Sequence, residues 1–97
     1  MRALVVGEVS DLRGKQRIAG AICFRRWMNG EVAGITFICP CGCGEESYLP
    51  VNGSGRPGPS WDWDRELEYP TLSPSIHNTG MPCRWHGWLR RGEWVAC

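Results

Sequence analysis

The sequence predicts a small, mostly β domain, and three observations lead there. Its 97 residues suffice for one domain, taken as 1–97. Its 13 glycines and 7 prolines exclude a mostly helical chain, because each interior Gly or Pro costs about 1 or 3 kcal/mol in a helix. Its apolar residues fall in short β-branched or aromatic runs bounded by turn residues, as strands do. A hydrophobic content of 42% excludes a disordered chain. A net charge of +1 argues against broad, charge-driven nucleic-acid binding.

The elements follow in chain order. Residues 3–6 (Ala-Leu-Val-Val) form a candidate short strand, and 10–15 a loop or single turn. Residues 17–28 fit either period: Ile18, Ile22 and Cys23 have helical spacing, while Gly20 weakens a helix. Asn29-Gly30 is a strong turn signal. Residues 31–38 read as a strand, 39–44 as a tight glycine-punctuated loop and 46–51 as the return strand. Residues 52–60, rich in Gly, Pro and Ser, are a flexible loop. Trp61-Asp62-Trp63-Asp64 alternates aromatic and acidic residues as a strand would. Pro70 and Pro74 favour extended backbone just before them. Trp88 to Arg91 and Trp94 to Ala96, joined through Gly92-Glu93, make a second hairpin.

A domain this small has a thin core, and six cysteines suggest a staple. No apolar stretch approaches the roughly 20 residues of a membrane span, and the apolar run after Met1 is too short for a secretory signal. The expectation is a cytoplasmic protein, no membrane contact, and few disulfides. A metal fits the spacing better. Cys39, Cys41 and Cys43 alternate within five residues, and Cys83-Arg84-Trp85-His86 adds a Cys-x-x-His. Thiolates and imidazole are the ligands of zinc and of iron–sulfur centres. The candidate ligands are Cys39, Cys41, Cys43, Cys83 and His86. Cys83 and His86 supply one half of a tetrahedral Cys₃His site, and two of the three loop cysteines the other. Which two is left open. The predicted architecture is thus an antiparallel β domain with two knuckle loops facing one metal. Cys23, between Ile22 and Phe24, reads as a core thiol, terminal Cys97 as free, and His77 as a surface or hydrogen-bonded histidine.

Two resemblances sharpen this. Cys83-Arg84-Trp85-His86-Gly87-Trp88 resembles the second cluster-binding loop of Rieske iron–sulfur domains. That resemblance implies a Rieske-like scaffold and a 2Fe–2S electron-transfer protein. Cys39-Pro40-Cys41 would occupy the first loop, with cysteine where that family has histidine. One imidazole in place of two favours zinc on the same scaffold, Rieske-like or zinc-ribbon-like. From about residue 30 to 97, the Cys-Pro-Cys-Gly-Cys-Gly loop, Trp61 and Trp63, Pro70-Thr71-Leu72-Ser73-Pro74-Ser75-Ile76 and Cys83-x-x-His86 are similar to a family of uncharacterised small proteins of bacteriophages and bacterial mobile elements. Some of these occur beside ubiquitin-like conjugation genes. This resemblance implies zinc and a phage or mobile-element origin, with the host cytoplasm as the setting if the protein is phage-encoded.

The expected function is a zinc-stabilised, non-enzymatic binding or accessory protein with a protein partner. Six tryptophans motivate the partner, since aromatics are enriched at interface hot spots. Trp63, Trp85, Trp88 and Trp94 are assigned to the core and the metal's surroundings, Trp27 and Trp61 to the surface. Arg84, Arg90 and Arg91 beside Trp85 and Trp88 leave a nucleic-acid-binding zinc ribbon as an alternative, with Asp62, Asp64, Glu66 and Glu68 opposing it. A catalytic zinc keeps an open position; four or five candidate ligands point instead to a closed, structural site.

Overall fold

Among the described residues, strand periodicity organises the chain into eight short strands and one helical turn. The computed structural model describes residues 1–14, 17–51, 59–77 and 83–97. The elements are β1 (Val5–Val6), α1 (Val9–Leu12), β2 (Ile22–Arg26), β3 (Val32–Ile38), β4 (Glu46–Pro50), β5 (Asp62–Trp63), β6 (Leu72–His77), β7 (His86–Arg90) and β8 (Glu93–Ala96). They form two four-stranded sheets, ordered β1-β2-β3-β4 and β5-β6-β7-β8. The mostly β class expected from the sequence is therefore the observed one. Pairing is antiparallel except at the edge of the first sheet, where β1 runs parallel to β2.

Alternation along each strand builds the core. Ile35 and Phe37 of β3 point inward, as do Leu72 and Ile76 of β6, Leu89 of β7 and Trp94 of β8. These residues from both sheets make one apolar cluster, so the sheets close on each other. Phe37 and Trp94 meet across it with ring centroids 5.1 Å apart. The Trp94 indole N–H reaches the Gly20 carbonyl at 2.8 Å, which pairs the one polar atom that Trp94 brings inside. The opposite face of the first sheet carries Cys23 and Ile38, and α1 covers it with Leu12. Where residues 10–15 were expected to form a loop or a single turn, the chain makes a single turn over Val9–Leu12, held by a capping box between Glu8 and Asp11. A bidentate pair from Arg13 to Glu46, at 2.8 and 2.7 Å, ties the end of that turn to β4.

Residues 17–28, compatible with either period, yield a strand over 22–26. Gly20, at φ +80, is where a helix would have broken. The Asn29-Gly30 turn forms as expected: the Gly30 N–H bonds the Trp27 carbonyl at 2.9 Å. Most of the loop expected at 52–60 lies outside the described residues. Trp61, expected on the surface, is half-buried against the core, and its indole N–H donates to the Ser75 carbonyl at 3.3 Å. Trp27 is exposed as expected. No helix among the described residues is long and apolar enough to cross a membrane.

Two features of the second sheet position the site. Between Leu72 and Ile76 the β6–β7 register slips: Leu72 pairs Leu89 and Ile76 pairs Gly87. Ser73, Pro74 and Ser75 thus face Trp88 alone, and the strand bulges there. Gly87 sits where no side chain fits. A Cβ there would strike the Val95 carbonyl oxygen and come within 2.6 Å of the Trp85 ring. The backbone on either side of His86 is thereby held tightly.

Candidate functional site

The first group of functional side chains is built by two chain reversals. β3 ends at Ile38, and the chain turns through Cys39 to Gly44 into β4. The Gly42 N–H closes that turn onto the Cys39 carbonyl at 3.2 Å, and Gly42 and Gly44 take φ +89 and +82. Those left-handed conformations favour glycine and let the loop curl so that its sulfurs converge. Cys83 arrives from the second sheet, three residues before β7.

The sulfurs of Cys39, Cys41, Cys43 and Cys83 all lie within 4.8 Å of one another. Cys39 and Cys41 are 3.3 Å apart, Cys39 and Cys83 3.4 Å, and Cys43 and Cys83 3.7 Å. Four sulfurs at about 2.3 Å from one tetrahedral ion would stand about 3.8 Å from each other. The cluster can therefore hold a metal ion with little adjustment. The loop thiols sit in different environments, which lower one and raise the other two. Hydrogen bonds from the Cys83 and Cys39 thiols lower the Cys41 thiol to about 7. Burial pushes the Cys39 thiol up, and a cation at the centre would favour the charged form of every sulfur. The Cys43 backbone N–H adds a bond to the Cys41 sulfur at 3.3 Å.

The sequence left open which two of the three loop cysteines converge; the structure gathers all three with Cys83. His86, expected as the fourth ligand, lies outside this group. The physical reason is strand alternation. His86 is the first residue of β7, where Gly87 and Leu89 turn inward and His86 and Trp88 share the other face. That face carries His86 over β6, where its Nε2 lies 3.0 Å from the Ser75 Oγ. Both residues are half-buried. His77, the last residue of β6, pairs with His86 in register. The two imidazoles stack with centroids 4.7 Å apart and planes 26° from parallel. The remaining cysteines lie where the sequence put them: Cys23 is buried, with its thiol raised by desolvation, and Cys97 is exposed. Trp63, Trp85 and Trp94 serve the core as expected. Trp88 is half-buried beside His86, with the Arg90 guanidinium 4.5 Å over its ring.

Ser75 escaped the sequence reasoning. A serine beside a proline in an extended run carries no local sign of chemistry, and His86 was already assigned to metal. The usable signal was a serine and a histidine on strands that a hairpin-rich chain can place side by side.

Residues 9–97 match the model of a family described as Bacterial ubiquitination-like system serine protease (BubE). The chain belongs to this family. Comparison with curated proteins and with solved structures returns no match. The family overturns the expectation of a non-enzymatic protein, since it is described as a serine protease. That expectation weighed only the metal, the carboxylates and the thiols as sources of chemistry. The expectation of a closed metal site weighed against catalysis at a metal and said nothing of a hydroxyl on a neighbouring strand.

Proposed function

We propose that this protein is a serine peptidase in which Ser75 is the nucleophile and His86 its general base, on a scaffold held by a zinc ion at Cys39, Cys41, Cys43 and Cys83. The observation that carries the reading is the 3.0 Å separation of Ser75 Oγ and His86 Nε2, within the reach that a nucleophile and its base require. With the imidazole protonated at Nδ1, Nε2 accepts the Ser75 hydroxyl proton. As Oγ attacks the carbonyl carbon of a peptide bond, that proton passes to Nε2. The imidazolium then gives it to the leaving amine, an acyl-enzyme remains, and water, activated by the same nitrogen, releases the acid.

The metal has a supporting part. All four sulfurs crowd one point, which favours a single ion over the 2Fe–2S alternative, whose two irons would divide the sulfurs into separate pairs. Four protein ligands would complete a tetrahedron and leave no open position for substrate. Zinc would join the β3–β4 loop of one sheet to the entry of β7 in the other, three residues before His86. Cysteines kept for a metal and not joined in disulfides suit a reducing, cytoplasmic setting. The family's description, a serine protease of a ubiquitination-like system, supports a protein substrate within such a system as the partner.

Labelling with a fluorophosphonate tests the nucleophile. The wild-type protein is expected to gain one phosphonyl group, read by intact mass. Ser75→Ala should gain none, and Ser73→Ala, two residues away on β6, should label normally. Equal labelling of Ser75→Ala and wild type would overturn the assignment.

A further inference from the structure

We propose that His77 is a positioning residue whose stacked ring fixes the imidazole plane of His86; the inference rests on the serine-peptidase reading above. A general base works only while its lone pair points at the hydroxyl, and rotation of the imidazole about its last side-chain bond would swing Nε2 off Ser75. In serine hydrolases a hydrogen bond at the second ring nitrogen commonly prevents this. Among the described residues, no group accepts from His86 Nδ1. What the described residues provide is a ring.

Three observations single out His77. It is the direct cross-strand partner of His86, so the β6–β7 ladder fixes the spacing of the two side chains. Its ring lies 4.7 Å from that of His86 at 26°, an offset-stacked arrangement. It is exposed, and no described residue hydrogen-bonds its ring, so nothing else among them accounts for its orientation. The other aromatic neighbour of His86, Trp88, stands farther off at 6.4 Å and 32°. Ser75, His77 and His86 therefore form one unit on two adjacent strands: nucleophile, positioning ring and base. Stacking also suits the chemistry. The stacked ring touches the face of His86 and so holds its plane while leaving both ring nitrogens to the proton transfer.

The test measures the rate constant (kinact) and the half-saturation constant (KI) of Ser75 phosphonylation by a fluorophosphonate, followed by intact mass. His77→Ala is expected to lower kinact by about 2- to 10-fold, the range that one aromatic pair supports, with KI unchanged. His77→Phe, which keeps the stack and removes the nitrogens, should restore kinact to within about twofold of wild type, a rescue that stacking alone supplies. Both variants should keep the wild-type metal content and melting midpoint, because His77 is exposed and outside the sulfur cluster. Wild-type kinact in His77→Ala would overturn the inference, and so would a His77→Phe variant as slow as His77→Ala. Should His77→Ala fold poorly, His77→Leu gives the same comparison and the same two outcomes. Failure of the wild-type protein to label at Ser75 would instead sink the peptidase reading itself.

Discussion

Removing the metal with a strong chelator is expected to unfold the protein. The net stability of a chain this size is about 5–15 kcal/mol, and a structural zinc site contributes about 10–16 kcal/mol to folding. Loss of the ion therefore cancels most or all of that margin. Geometry makes the dependence sharper. Three sulfurs sit on the loop after β3 and the fourth stands 44 residues later in sequence, at the entry to the second sheet. An ion there would join two sheets that are otherwise linked by their shared apolar core, the Trp94 indole bond to the Gly20 carbonyl and the Arg2–Glu93 and Val51–Trp61 bridges. Cys83→Ser should act likewise, because among the described residues it removes the one sulfur of the cluster that lies outside the loop after β3. Tryptophan fluorescence during heating gives the readout. The midpoint should fall by tens of degrees or the folded baseline should vanish, and stoichiometric zinc should restore it in the chelated wild type. Protons compete with metal for sulfur, so the metal-bound form should weaken as pH falls below neutral. An unchanged midpoint after complete metal removal would contradict this.

Ser75→Ala and His86→Ala are each expected to lower the hydrolysis rate of 4-nitrophenyl acetate by about 10³-fold or more, and the double variant should be no slower than either. Residues that act as one unit lose their whole effect when either is removed: a serine hydroxyl without its base attacks poorly, and a base without its hydroxyl has nothing to activate. His86→Ala should also keep its metal and most of its stability, since the lost hydrogen bond to Ser75 is worth only about 1 kcal/mol. Multiplicative losses in the double variant would separate the two residues. Loss of metal in His86→Ala would return that histidine to the coordination sphere.

Much of the fold was legible because strand signals in this chain are local. The β-branched run before Cys39 gives β3, Asn29-Gly30 gives the turn before it, and Gly92 gives the last hairpin turn. What was hidden depends on long-range pairing. Nothing in Val5-Val6 says that it runs parallel to β2, or that a capping box spans Glu8 to Asp11. The sulfur cluster was legible because ligand spacing is a local pattern: Cys39, Cys41 and Cys43 within five residues, and a distant Cys83. The place of His86 was not. Cys83-x-x-His86 has the spacing of a ligand pair, but β7 begins at the histidine, and strand alternation directs its ring toward β6. Ser75 depends on the bulge that sets three β6 residues against Trp88, a register no composition reveals.

X-ray absorption at the zinc edge, on protein purified with its native metal, tests the division of labour between the four sulfurs and His86 most directly. The expected result is one shell of four sulfurs at about 2.3 Å with no imidazole scattering. A shell of three sulfurs and one nitrogen at about 2.0–2.1 Å would place a histidine on the metal and leave Ser75 without its base.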